Sequence, residues 1–359
     1  MTLKTNITEM FGIKHPIANA AMGPYRTNEM AIAVAEAGAL GMISHTNQSM
    51  DGREENTLVA MKKNLDYVVE HTDGIFGFNI RTSRLTANCD ELISETAKHI
   101  MANPKLKEQC LYALSSAGSA TRIAQNPDFK KLRENSQVKH FHVAPALWLA
   151  DKCVNAGCDG LVVTGFEGGG HQSYEKVGGL VLLQQVQEKY PDIPKIACGG
   201  FATGDGLAAA LAIGAGGVSM GSRFIASNES EFHEKYKNIV PPAKAQDTVV
   251  RTGSLGTIRL WKNKFAMAKG LVKSKEEKIA EEKAREEQRT TISKEELAEE
   301  LRKDLIAQYA VYEGDMDNGY VLLGQSIGIV NQIDSIPDII ETIVKDAEKA
   351  LKKAITYVD

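Results

Sequence analysis

The 359-residue chain is expected to form an α/β fold of the TIM type, a closed (β/α)8 barrel, with a C-terminal helical cap. Three observations predict it. Eight short apolar runs lie between residue 16 and about residue 225, each followed by a stretch of helical character. The runs are continuously apolar, as strands buried on both faces of a parallel sheet must be. A glycine-rich tail, AGALG, AGCDG or IGAGG, ends a helix and leads into the next strand at three places. Such tails recur when one connection is repeated, with Gly supplying the positive φ at a helix end. Eight units in about 210 residues suit a barrel; a doubly wound open sheet, the alternative, usually has fewer strands.

The strands are expected at 16–22, 40–44, 75–81, 109–115, 138–144, 160–165, 195–200 and 217–222. Between them, Asn28 is placed to cap a helix that Gly38 ends, a helix over 148–156 stops at Gly157, and one over 206–213 stops at Gly214. Pro241-Pro242 marks a break. Residues 1–241 are therefore assigned to the barrel and 242–359 to a helical cap or substrate domain. Within the cap, 273–304 is a dense charge run, helical by propensity. In it, Ser293 and Glu296 form a capping box ahead of Leu297, Leu301 and Leu305. A solvated helical pair over the barrel is the expectation. A final amphipathic helix, 336–355, is expected to pack back on the barrel.

Composition excludes several classes. A net charge of −4 gives no electrostatic case for nucleic acid or an anionic membrane. The uncharged, glycine-rich stretch 206–220 falls short of the ~20 residues of a membrane span. The N-terminus lacks the basic and apolar segments of a signal peptide. The five cysteines form no CxxC pair and no metal-like spacing, which fits reduced thiols in a cytoplasmic protein.

The chemistry of a TIM barrel sits at the C-terminal ends of its strands. The sixth exit reads Gly165-Phe166-Glu167-Gly168-Gly169-Gly170-His171. Consecutive glycines let a flat ligand lie against the backbone, and a histidine directly after them suits a general base or hydrogen-bond donor. A loop with an incidental histidine is the other reading. The seventh and eighth exits, Cys198-Gly199-Gly200 and Met220-Gly221-Ser222-Arg223, suit the fold's usual phosphate pocket. Ser222 would add a hydroxyl there and Arg223 a charge, unless the glycines only allow close packing. At the first exit, Ala20-Ala21-Met22-Gly23 suits the face of an isoalloxazine ring, and at the third, Asn79 offers an amide to its pyrimidine edge. His140 and His142 face one side of strand five, inward if catalytic, though satisfied structural histidines are the commoner outcome. No Gly-x-Ser-x-Gly elbow occurs.

These segments resemble the nitronate monooxygenase (2-nitropropane dioxygenase) family, which includes the flavin-type enoyl-ACP reductases. HPIANAAMG, GFNIR, AGCDGLVVTGFEGGGHQS, the CGG…MGSRF block and GQSIGIV occur in family order over nearly the whole chain. The resemblance implies FMN as cofactor. It implies Ala21, Met22 and Gly23 beside the flavin, Asn79 on its ring, Glu167, Gly169 and Gly170 near it, and Gly199, Gly200, Gly221 and Ser222 at its phosphate. It implies His171 as the catalytic residue, with Gln325 and Ser326 lining the substrate cavity. Gly168 and Ser173 stand where the family more often has Ala and Gly, and Ser222 where it often has Thr; none of these removes a needed chemical group. The charge run after Lys273 is longer than the family's.

Two activities follow from the resemblance. One is oxidation of alkyl nitronates with oxygen. The other is NADH- or NADPH-dependent reduction of an enoyl thioester or a quinone. A phosphate-binding barrel without redox chemistry is the reading outside the family. The partner is a small-molecule substrate in each case, with neither nucleic acid nor membrane, and a homodimer is admitted.

Overall fold

The computed structural model describes residues 3–48, 56–83, 86, 88–253, 256–268, 276, 280 and 306–358. All eight expected barrel strands form: β1 (Ile17–Asn19), β2 (Gly41–Ile43), β3 (Phe76–Arg81), β4 (Cys110–Ser116), β5 (Lys139–Ala144), β6 (Gly160–Thr164), β8 (Lys195–Cys198) and β9 (Gly217–Met220). Numbering in chain order leaves β7 for a two-residue strand outside the barrel, Gly170–His171. The eight pair in parallel in the order β1-β9-β8-β6-β5-β4-β3-β2.

The seam between β1 and β2 is closed by little backbone. Ala18 bridges Leu40, whose amide donates to the Ile17 carbonyl at 2.9 Å. The next rung is a side chain. Asn19 Oδ1 accepts from the Met42 amide at 2.7 Å, and Asn19 Nδ2 donates to the Met42 carbonyl at 2.9 Å. A carboxamide has the donor and acceptor of a peptide group, so it can stand in for a missing ladder bond.

Inside the barrel, Ala18, Met42, Tyr112, Leu114, Phe141, Val162 and Ile196 form one cluster with Phe11. Phe11 sits on the N-terminal helix Asn6–Phe11, whose start is fixed by a Thr5–Thr8 capping box and by Thr5 Oγ1 donating to the Gly216 carbonyl at 2.6 Å. Its ring lies 5.4 Å from Tyr112 and 5.8 Å from Phe141. Aromatic packing thus plugs the end where the strands begin and leaves the other end open.

The three glycine tails end their helices in the left-handed region, with φ of 79° at Gly38, 81° at Gly157 and 105° at Gly214. Asn28 is not the cap of its helix. The helix Asn28–Glu36 starts one residue after Thr27, and its first amides are satisfied from outside. Glu231 accepts from the Asn28 amide at 2.7 Å and from the Met30 amide at 3.4 Å.

Beyond residue 241 the chain opens with β-structure. β10 (Thr248–Gly253) and β11 (Gly256–Trp261) form an antiparallel hairpin. The sequence TVVRTGSLGTIRLW carries its cause, two runs of β-branched residues that end at Gly253 and begin again at Gly256. The segment is therefore not helical throughout. The helix Ile336–Ile355 buries Ile336, Ile339, Ile340, Ile343, Val344 and Ala347, an apolar stripe at helical spacing. It lies on the helix Gly204–Ile213, close enough that a Cβ at Gly204 would sit 2.6 Å from the Ala347 amide nitrogen. The charge run 273–304, with its Ser293–Glu296 box, falls almost wholly outside the described residues.

Replacing Asn19 by Leu leaves the Met42 amide unpaired in the seam, while the Met42 carbonyl keeps the Thr27 hydroxyl at 3.0 Å. The expected cost is about 1–3 kcal/mol from one buried orphan, read as a lower denaturant midpoint. An unchanged midpoint would show that the seam does not depend on this side chain.

Candidate active site

The strand ends open into a cavity of about 1360 Å³. Ala21, Met22, Gly23, Asn79, Gly169, Gly170, His171, Gly199, Gly200, Gly221, Ser222 and Ser326 all line it. Twelve of the fourteen residues singled out by sequence are thus brought to one chamber. Glu167 and Gln325 are not among its walls, and both have structural work instead.

That work concerns the sixth exit. The Glu167 carboxylate accepts from the Gly179 amide at 2.8 and 3.1 Å, capping the helix Gly179–Lys189. The Glu167 carbonyl accepts from the Gln325 amide at 2.8 Å. The Phe166 carbonyl accepts from Arg259 Nη2 at 2.8 Å and Nε at 3.1 Å, and the guanidinium lies 4.8 Å over the Phe166 ring. Gly165 donates to the Cys198 carbonyl and Gln172 to the Thr257 carbonyl. His171 itself is on β7, paired with Ile258 of β11. The exit is a braced strand rather than a loose loop, and it holds an exposed imidazole at the cavity wall.

Opposite lies a neutral cradle. Gly199 and Gly200 have φ of 80° and 89°, which turns successive amides the same way. The amides of Gly200, Phe201 and Ser222 have no acceptor among the described residues. Ser222 Oγ accepts from the Gly324 amide at 3.0 Å, which leaves its proton for a ligand. Arg223 does not contribute a charge here; it turns away to the Ala226 carbonyl and to Asp334 at 3.3 Å. Asn79 Nδ2 is bound to the Leu114 carbonyl at 3.0 Å and to Ser116 Oγ at 3.1 Å, so its Oδ1 is the group offered to the cavity. Cys198 lines the cavity too, with its thiol pKa raised by burial.

Sequence reasoning missed the third wall, formed by Arg81, Arg122, Trp148 and Lys152. Arg81 was legible, since it stands two residues after Asn79 on the same strand face. Trp148 and Lys152 share one face of the helix Leu147–Asn155 that follows β5.

His140 and His142 face outward, into the layer between strands and helices. The His140 ring lies edge-on to Phe129 of the helix Pro127–Asn135, while Phe141 between them points into the barrel. Both reach Ser115 Oγ, at 2.7 Å from His140 Nε2 and 2.6 Å from His142 Nδ1. Burial, helped by His140, pushes the His142 pKa down to about 3.

A barrel whose open strand ends gather glycine amides and a histidine belongs to the TIM-barrel enzymes. The sequence profile of the nitronate monooxygenase family matches residues 4–346, and the chain belongs to that family. It is accordingly an oxidoreductase. It is 28% identical over 374 residues to the (3aS,4S,5R,7aS)-5-hydroxy-7a-methyl-1-oxo-octahydro-1H-indene-4-carboxyl-CoA dehydrogenase of Rhodococcus jostii (strain RHA1), covering 98% of this chain and 97% of that one. It is 28% identical to a probable nitronate monooxygenase of Staphylococcus saprophyticus, over 70% of this chain and 76% of that protein. Among solved structures, FabK from Thermotoga maritima superposes with a TM-score of 0.77 at 30% identity, over 99% of this chain and 100% of that one.

Two predictions follow from this geometry. A Cβ at Gly169 would lie 2.7 Å from the Gly324 nitrogen and 2.7 Å from the Leu323 carbonyl carbon, both backbone. Gly169→Ala should therefore cost about 1–3 kcal/mol and displace the exit, read as a lower Tm. An unshifted Tm would mean that the two segments are not in contact. The second concerns pH. His142 titrates near 6.5 when unfolded and near 3 when folded, so the unfolded chain takes the proton first. The stability held by neutral His142 is intact above pH 6.5 and is lost as the pH falls toward 3. By pH 5 the loss is about 2 kcal/mol. Denaturant midpoints at pH 7 and pH 5 should show it, and His142→Gln should reduce the difference, leaving the part that the buried His45 contributes in the same direction.

Proposed function

We propose that the chain is an FMN-dependent oxidoreductase that reduces an α,β-unsaturated acyl thioester with electrons from NADH or NADPH. The observation that carries this reading is the size of the cavity. About 1360 Å³ exceeds the roughly 300–1,000 Å³ of a site for one drug-sized ligand, so there is room for a cofactor and an extended substrate together.

The residues present fit FMN. The amides of Gly200, Phe201 and Ser222 with the Ser222 hydroxyl form a donor set for its phosphate. Gly199 and Gly221 keep that cradle free of side chains. Ala21, Met22 and Gly23 supply small or polarizable surface for the ring, with Gly169 and Gly170 along the opposite exit. Asn79 Oδ1 would accept from a ring N–H. When bound, FMN supplies two-electron transfer between the nicotinamide and the substrate's β-carbon.

His171 would donate to the thioester carbonyl, stabilising negative charge as it develops there and placing a proton source near the α-carbon. Its β7–β11 pairing fixes it for that task. Ser326 would line the acyl channel, and residues 242–359 would act as the substrate domain, bringing Arg259 and Gly324 to the exit. Oxidation of an alkyl nitronate is the second reading. It is favoured by the cations on the third wall, since a nitronate is an anion, and by the likeness to the Staphylococcus saprophyticus protein.

Anaerobic mixing of the yellow holoprotein with NADH, NADPH or an alkyl nitronate separates the two. Rapid bleaching by a nicotinamide and recolouring by crotonyl thioesters is expected; bleaching by nitronate alone would select the second reading. His171→Ala should keep the flavin and lose turnover by about 10²-fold or more. Full turnover in that variant would remove His171 from the chemistry.

A further inference from the structure

The third wall of the cavity has no task in the FMN cradle. The helix Leu147–Asn155 turns one face into the cavity, with Trp148, Leu149, Lys152 and Asn155 lining it. Ala150 and Cys153, on its other face, are buried. Trp148 is 47% exposed at the cavity rim, where its indole is accessible to a ligand in the cavity. Lys152 Nζ lies 4.8 Å from the Trp148 ring centroid. The ammonium has no carboxylate partner among the described residues, and neither has the guanidinium of Arg81, at the end of β3. Arg122, between them along the wall, is held by Asp90 at 3.0 Å.

No Asp or Glu lines the cavity among the described residues, although the chain as a whole has 46 acidic and 42 basic residues. The positive charge is also displaced from the glycine cradle, which works with neutral amides. Two cations without carboxylate partners among the described residues and a half-exposed indole are a recognition set for phosphates and a purine ring. Ammonium and guanidinium groups bind phosphate oxygens, and heteroaromatic bases stack on exposed aromatic side chains.

We propose that Trp148, Lys152 and Arg81 form a docking site for the adenosine phosphate end of a nucleotide-bearing substrate, separate from the cradle of Gly199, Gly200 and Ser222. The adenine stacks on Trp148, and its phosphates meet Lys152 and Arg81. Both a CoA thioester and NAD(P)H carry this chemistry. The site rests on the reading above only for the choice between them.

Calorimetric titration of the holoprotein tests it. The probes are adenosine 3′,5′-bisphosphate, which is the end of CoA, and ADP and 2′-phospho-ADP, which are the ends of NADH and NADPH. At least one should bind, with a Kd that rises about tenfold in Trp148→Leu and in Lys152→Gln and that weakens with salt. Binding of the 3′,5′-bisphosphate assigns the site to a CoA thioester; binding of the ADP fragments assigns it to the nicotinamide nucleotide. In the first case, the ratio of kcat/KM for crotonyl-CoA over crotonyl-N-acetylcysteamine, which lacks the nucleotide, should also fall about tenfold in both variants. No binding by any probe, or binding unchanged in both variants, would overturn the proposal. Variant-sensitive binding by a protein that reduces no thioester would leave the site standing and remove the thioester reading instead.

Discussion

Everything at the open end of the barrel depends on how closely the sixth exit can approach its neighbours. Gly165 lies where a Cβ would come within 2.3 Å of the Gly179 Cα, Gly199 where it would come within 2.6 Å of the Gly165 carbonyl oxygen, and Gly169 where it would meet the 323–324 backbone. Three other chain segments are therefore packed backbone against backbone on this exit. Close approach of this kind satisfies polar groups directly. Across these contacts the Glu167 carbonyl takes the Gln325 amide, the Glu167 carboxylate the Gly179 amide and the Cys198 carbonyl the Gly165 amide, while Arg259 covers the Phe166 carbonyl. A buried, irregular backbone is tolerable only when it is paired in this way. The consequence is mechanical. His171 stands at the end of a segment fixed from the barrel, from the β11 hairpin and from the 322–326 return at once.

That bracing separates two kinds of recognition within one chamber. On the β8–β9 side the donors are backbone amides and a hydroxyl, rigid and uncharged. On the β3–β5 side they are long cationic side chains and an indole. A group bound through fixed amides is held in one place and one orientation, as suits a resident cofactor. A group bound through Lys and Arg at a rim is attracted from a distance and released readily, with a strong dependence on salt. The absence of carboxylates from the described cavity wall lets both act without a competing internal partner.

The barrel was legible because each of its parts is written locally. Continuous apolar runs become β1 to β6, β8 and β9, and the three glycine tails become left-handed helix ends. Most of the cavity lining was legible for the same reason, since glycines at strand exits and an adjacent histidine are local signals. What was not legible depended on tertiary partners. Glu167 carries no local sign that its carboxylate caps a helix twelve residues later, at Gly179. Arg223 looked like a phosphate ligand, but Asp334, distant in sequence, draws it away. Asn28 has the residue type of a cap, but Glu231 does the capping. The strands Thr248–Gly253 and Gly256–Trp261 carry visible β-branched runs, but the charge run that follows them gives the C-terminal segment a helical composition.

The two ends of the barrel divide stability from function. At the closed end, Phe11, Tyr112 and Phe141 fill the bore with apolar contact, and the seam is finished by one carboxamide. At the open end the bore ends at Val162 and Leu114, and above them the walls turn polar, glycine-rich and cationic. Burial is what makes such an arrangement sensitive to protonation. His45, whose pKa is lowered well below its usual value by burial and by the Arg81 charge, sits directly behind the cationic wall. Its Nδ1 accepts from the Arg81 amide at 3.1 Å, which requires the ring to be unprotonated at that nitrogen. A proton on Nδ1 would break this bond at the strand end that carries the Arg81 side chain. The same neutral histidine therefore fixes the backbone beneath Arg81 and avoids adding a further positive charge to that side of the cavity, so its burial serves the site as well as the fold.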